Sequence, residues 1–250
     1  MNEIEMVTFS TDEEKKRRSD FVGLLKGCPI PEGELLDNLG LFLNSKTFSR
    51  IKFMDFLYQK IVEIPGVIME FGTRWGQNAA LFSSLRGIYE PYNRTRKIVA
   101  FDTFEGFPEV SPQDGTCKSI TPGGYKVTAG YDAYLDQVLA FHEKENPLGH
   151  IKKYALVKGD ATSTLPRYLE EYPETIISLA YFDFDLYEPT KKCLQLIRER
   201  LVKGSIVGFD ELNEHETPGE TLAVMEVLGL RNLELRRLSY VSRVSYFEVK

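Results

Sequence analysis

Between Phe48 and Val62 (FSRIKFMDFLYQKIV) apolar residues recur at steps of three and four, the period of an amphipathic helix. Beyond Pro65 the pattern changes to short apolar runs at 66–71 (GVIMEF), 97–102 (KIVAFD), 154–158 (YALVK), 176–182 (IISLAYF) and 205–209 (SIVGF). Short runs of this kind, apolar on both faces and bounded by turn or acidic residues, predict buried strands. Helical spacing fills the gaps at 77–85, 131–144, 162–171 and 189–202, and returns at 217–229. The tail, LELRRLSYVSRVSYFEVK, offers two more strand-like segments, the second alternating at Val244, Tyr246 and Glu248. Buried strands alternating with helices predict a doubly wound α/β fold. Its sheet is expected to have seven strands, mostly parallel, with an antiparallel C-terminal edge and helices on both faces.

Three segments fall outside this alternation. Residues 11–20 (TDEEKKRRSD) form a charge run, read as a solvated helix or arm. The Gly- and Pro-rich stretch from Gly27 to Gly40 reads as loop. Residues 103–130 hold much of the Gly and Pro and predict a long irregular connection, with Tyr125 and Tyr131 as parts of a substrate lid. The expected organisation is a helical appendage or lid over 1–60 and one main domain over 61–250.

Composition narrows the class. With 250 residues, 42% hydrophobic and 12% aromatic, the chain can bury a sizeable core. No apolar run approaches the ~20 residues of a membrane span, and the polar N-terminus lacks the apolar stretch of a signal peptide. Cys28, Cys117 and Cys193 are too few and too scattered for a disulfide framework or a zinc site. A formal charge of -6 gives no footprint for nucleic acid. The expectation is a cytoplasmic enzyme with a small-molecule partner, and neither a nucleic-acid nor a membrane partner.

In doubly wound sheets ligands bind beyond the carboxyl ends of the strands. Every predicted central strand here ends at acid: Glu70, Asp102, Asp160, Asp183 and Asp210 in turn. Any one of these could cap a helix. Five on one rim would repel one another unless a cation, sugar hydroxyls or an amine bound there. The first constellation is Glu70-Phe71-Gly72-Thr73-Arg-Trp-Gly76-Gln-Asn78, a glycine turn between strand and helix. Asp102, followed by Thr103, is placed to accept hydrogen bonds from a ribose diol, and Asp160 to meet an adenine amino group. These residues resemble the class I S-adenosylmethionine-dependent methyltransferases over roughly residues 60–250. The resemblance implies that Glu70, Phe71, Gly72, Thr73, Asn78, Asp102, Thr103, Gly159, Asp160, Ala161 and Asp183 contact S-adenosyl-L-methionine.

The second constellation is Asp183-Phe-Asp185-Leu-Tyr187-Glu-Pro-Thr190, followed one helix and one strand later by Asp210-Glu211. That path returns the chain to the same rim, so Asp183, Asp210 and Glu211 can converge as hard oxygen ligands for Mg²⁺ or a similar divalent ion. The segment resembles the macrocin O-methyltransferase family, as does Asp102-Thr-Phe-Glu-Gly-Phe-Pro108. The family's second acidic position is usually Asp, so Glu211 is the least typical ligand. The resemblance implies methylation of a hydroxyl on a sugar or glycosylated natural product, with a nucleotide-linked deoxysugar as one form of acceptor. It also implies a homo-oligomer. Of the three histidines, His142, His150 and His215, only His215 follows the acidic pair, on a loop expected to border the substrate. It is the expected base, with Asp185 as rival. Gly-Thr-Arg-Trp-Gly, lacking G-x-G-x-x-G spacing, argues against a nicotinamide-dependent oxidoreductase. The remaining alternatives are a catechol-type O-methyltransferase and a binding or scaffold subunit that has lost catalysis.

Overall fold

Six strands form one sheet in the computed structural model, which describes residues 10–250. They are β1 Val67–Phe71, β2 Ile98–Asp102, β3 Tyr154–Lys158, β4 Ile177–Phe182, β5 Leu201–Phe209 and β6 Ser245–Glu248. The spatial order is β3-β2-β1-β4-β5-β6, with the first five strands parallel and β6 antiparallel to β5. β1 pairs with β2 on one side and β4 on the other, so the strand order reverses there. A crevice opens at that reversal, where such sheets bind their ligands.

Strand alternation sends successive residues to opposite faces. On one face Ile68, Leu179 and Ile206 pack under α3 (Ser45–Ile61), α4 (Gln77–Tyr89) and α5 (Tyr131–Glu145). On the other, Met69, Ala180 and Val207 pack under α6 (Ala161–Glu171), α7 (Tyr187–Ile197) and α8 (Gly219–Val227). Near its carboxyl ends this second face carries a ladder of rings, Phe101–Phe71–Phe182–Phe209–Phe247, with centroids 5.1, 4.7, 5.3 and 6.3 Å apart. Cross-strand aromatic neighbours stabilise a sheet beyond simple burial.

At the opposite end, Arg96 is fully buried. Its guanidinium donates to the carbonyls of Ile61 (2.8 Å) and Gly66 (2.7 Å), to Ser178 Oγ (2.6 Å) and to Glu90 Oε2 (2.8 Å). One side chain thus ties the end of α3 to the entrances of β1 and β4.

The N-terminal region divides near residue 44. α3 places Phe53, Met54, Leu57, Tyr58 and Ile61 in the core, so it packs as part of the sheet assembly although it precedes residue 61. The charge run is helical, α1 Asp12–Lys26, started by a capping box between Thr11 and Glu14, and it buries no residue. The predicted loop after it is helical in part. A turn, α2 Glu32–Leu35, begins after Pro31 and runs into a 3-10 segment over Leu36–Phe42. The expected seventh strand is absent among the described residues. Its segment makes one isolated bridge, Arg236 to Tyr246, and the chain then turns back through the Val241 N–H to Leu238 carbonyl bond (3.2 Å), ending the pairing. The helix predicted to reach residue 202 stops at Ile197, and β5 starts earlier, at Leu201.

Candidate active site

A cavity of about 430 Å³ opens at the carboxyl ends of the parallel strands. Its first wall is the turn after β1. Gly72 has φ +91°, and a Cβ there would sit 2.0 Å from the Asp183 carbonyl oxygen, so only glycine lets the β1 and β4 exits touch. The Asp183 N–H donates to the Phe71 carbonyl at 2.8 Å and closes that contact. Glu70 points to the α3 side, fully buried, and accepts from the Thr73 hydroxyl at 3.2 Å. Burial first, then the charge of Asp183, push its carboxyl up to about 8.

Most of the predicted donor-site residues line this cavity: Glu70, Gly72, Thr73, Asn78, Asp102, Thr103, Gly159, Asp160, Ala161 and Asp183. Phe71 is the exception, because its ring belongs to the aromatic ladder inside the sheet. Asp102 accepts from the backbone N–H groups of Arg74 and Phe104, each at 2.6 Å, while burial pushes its pKa up. A carboxylate has about four acceptor positions, so these bonds leave room for a diol. Asp160 caps α6, accepting from the Thr162 N–H at 2.8 Å. Capping and cavity lining coexist in this residue.

The second wall is anionic. Asp183, Asp185, Asp210 and Glu211 all line it. Arg50, from the first half of α3, reaches between two of them, with Nη2 2.9 Å from Asp183 Oδ2 and Nη1 2.5 Å from Asp210 Oδ1. The Tyr181 hydroxyl also donates to Asp210 Oδ1, at 2.8 Å. Arg243, just before β6, pairs with Glu211 and lies 3.6 Å from Asp210 Oδ2. Behind them Glu220, on α8, is fully buried and accepts from the N–H groups of Phe184 (3.0 Å) and Glu211 (3.3 Å).

The cluster's charges do not balance: five carboxylates face two guanidiniums. The imbalance appears in their proton affinities. Burial and the charge of Asp210 push Asp183 up. Burial and Glu211 push Asp185 well above the carboxylate range, and burial and Asp183 do the same to Glu220. Asp210 goes the other way. Burial raises it, but the charge of Arg50, the Tyr181 hydrogen bond and the charge of Arg243 together outweigh burial.

Among the described residues, no group of three His, Cys, Asp or Glu side chains is arranged as a metal cage. The donor set nonetheless suits a hard divalent ion, since it is all carboxylate and carries surplus negative charge. The guanidinium of Arg50 lies where two of the three expected ligands face each other, and would have to move aside for a cation.

The expected base does not fall in place. His215 is exposed, and it is not among the cavity-lining residues; its own backbone N–H donates to Glu214 at 3.2 Å. Asp185 is buried in the cavity wall with a left-handed backbone, φ 59°. The connection 103–130 does border the cavity through Gly106, Phe107, Pro108 and Tyr125. It is pinned rather than loose, because Asp114 is buried and accepts from the Tyr187 N–H at 2.5 Å and from the Ser111 hydroxyl at 2.9 Å. Tyr131 instead braces the first wall, donating to the Trp75 carbonyl at 3.0 Å. Sequence patterns alone did not reveal Arg50, Arg243 or Glu220.

The strand order with its cavity at the reversal defines the class I methyltransferase fold. NovP, an O-methyltransferase, shares it at a TM-score of 0.60 and 18% identity, covering 80% of this chain and 79% of that one. The chain belongs to the Macrocin-O-methyltransferase (TylF) family, whose description matches residues 49–225. It is therefore a methyltransferase. A crystal structure of CalS11, a calicheamicin methyltransferase, is 46% identical with a TM-score of 0.94, covering 96% of this chain and 94% of that one. The apo structure of CalS11, described as a TDP-rhamnose 3'-O-methyltransferase of calicheamicin biosynthesis, is 44% identical with a TM-score of 0.85, covering 97% and 96%. A sequence search of curated proteins finds no match.

Proposed function

We propose that this enzyme transfers the methyl group of S-adenosyl-L-methionine to a hydroxyl of a nucleotide-linked deoxysugar, the chemistry named for CalS11. The observation that carries the reading is one cavity with two unlike walls. Gly72, Asp102 and Gly159–Ala161 line the side suited to an adenosine, and Asp183, Asp185, Asp210 and Glu211 line the other. An acceptor on the acidic wall lies beside a donor on the glycine wall, which is what in-line transfer requires.

An alcohol is a weak nucleophile at neutral pH, so its proton must be removed as the new bond forms. Asp185 is assigned this role in place of His215, because it lies in the cavity wall beside Asp183 and Glu211, whereas His215 is exposed and outside the cavity lining. Tyr181 and Arg243 hold the neighbouring carboxylates in position. Asp183, Asp210 and Glu211 are the residues that would hold Mg²⁺, whose charge would acidify the acceptor hydroxyl and fix its orientation.

Incubation with S-adenosyl-L-methionine and TDP-rhamnose, read as a mass gain of one methylene, tests the acceptor class. Repeating it in chelator tests the cation. Methyl incorporation that survives exhaustive chelation would remove Mg²⁺ from the reading, and failure on a panel of TDP-sugars would remove the acceptor.

A further inference from the structure

Arg74 is a cavity residue that the reading above does not use. The two other arginines of the cavity are neutralised: Arg50 contacts Asp183 and Asp210, and Arg243 contacts Glu211. Arg74 makes no ion pair of this kind among the described residues, and its Nε is buried without a hydrogen-bond partner. Buried donors are nearly always satisfied, so an orphaned guanidinium nitrogen on a cavity-lining side chain marks a place where a partner arrives with the ligand.

The side chain is also held in a definite pose. Its guanidinium lies over the ring of Tyr125, 4.6 Å from the centroid, with Trp75 at 5.8 Å. Stacking occupies the face of the guanidinium and leaves its edge, where the N–H groups are, free to form a fork. Both partners have left-handed backbones, φ 48° at Arg74 and 59° at Tyr125. Neither is a glycine, so the fold tolerates strain at both ends of this one contact. The Arg74 backbone N–H is already committed to Asp102 at 2.6 Å, which fixes the root of the side chain.

We propose that Arg74 is the oxyanion-binding residue of the cavity, taking a carboxylate or phosphate group on the open edge of a guanidinium stacked on Tyr125. Resting on the proposed methyl transfer, two ligands bring that chemistry: the α-carboxylate of the methyl donor and the diphosphate of the acceptor. Asp102, which holds the Arg74 backbone, faces the donor side. Tyr125 is near enough to Asp185 and Glu211 to feel their charges on the acceptor side. Arg74 therefore spans the boundary between the two.

Titration calorimetry on the full chain and on Arg74→Gln separates the sources, with three probes: S-adenosylhomocysteine, thymidine diphosphate and 5'-methylthioadenosine. The last keeps the adenosine and lacks the carboxylate. Loss of a charge-assisted fork predicts an affinity fall of roughly 10- to 100-fold. A fall confined to S-adenosylhomocysteine assigns the carboxylate, and one confined to thymidine diphosphate assigns the phosphate. Arg74→Lys, which keeps the charge without the fork, should recover part of the loss. Unchanged affinity for both anionic probes overturns the proposal and leaves the methyl-transfer reading intact. A parallel fall for 5'-methylthioadenosine also overturns it, by showing a merely structural role. If the unmodified chain binds neither adenosine probe, the methyl-transfer reading fails and this proposal goes with it.

Discussion

Replacing Arg50 with methionine removes the guanidinium that bridges Asp183 and Asp210, leaving two mostly buried carboxylates facing each other. At ~4 Å and an effective dielectric of ~20, each contact is worth about 4 kcal/mol before desolvation is counted. Taking the guanidinium out of water offsets much of that, and breaking such a buried pair costs about 3–5 kcal/mol net. A second effect limits the loss. Asp183 already has a raised proton affinity, so near neutral pH it can bind a proton and remove one of the two charges. The expected destabilisation is about 2–4 kcal/mol, which for a domain of this size lowers the melting temperature by about 4–16 °C. Thermal unfolding in chelator measures it. Millimolar Mn²⁺ should stabilise Arg50→Met more than the parent, because the ion no longer competes with a tethered cation. A variant that melts with the parent in chelator would refute the ion-pair reasoning. A destabilised variant with no larger Mn²⁺ shift would refute the placement of the cation.

Asp185→Asn should lower kcat by ~10²–10⁴-fold while S-adenosylhomocysteine affinity holds, whereas His215→Ala should stay near parental activity; the reverse pattern would restore His215 as base. Arg96→Met leaves buried carbonyls and Glu90 without their donor, and should cost about 3–5 kcal/mol, seen as a drop in denaturation midpoint. Glu70, held at about 8 when folded against 4.5 ordinarily, keeps a proton that the unfolded chain has lost. Stability from this group is therefore present at acidic pH and disappears as pH rises through that window, by up to about 1.4 kcal/mol per unit. In chelator the melting temperature should fall by a few degrees between pH 6 and 8, and Glu70→Gln should flatten the slope.

The parallel strands were legible because each is a short, largely apolar run with an acidic residue at or just beyond its end, a signal carried within about seven residues. The acidic site residues followed from that, since strand ends share a rim whatever the intervening helices do. What remained hidden were partners set by tertiary geometry. Arg50 and Asp210 are 160 positions apart, and neither helical nor strand periodicity records which arginine on a polar helix face turns toward a carboxylate. Arg243 and Glu220 were hidden for the same reason. His215 was expected to border the cavity from its proximity in sequence to the acidic pair; in the structure it is exposed, and Thr217, which donates to Glu211, points inward instead. The seventh strand failed because alternation alone cannot register the turn near Leu238 that ends its pairing.

The phenylalanine ladder and the Gly72–Asp183 contact lock the strand exits into a stiff chassis, while the acceptor side is closed partly by a separate connection fastened through Asp114. Substrate choice can then drift by rewriting the middle of that connection, while Thr103, Phe104 and Tyr125, which serve the donor side and Arg74, stay in place. Grafting residues 105–124 from a relative with a different acceptor, keeping Asp114, is the direct way to retarget this scaffold.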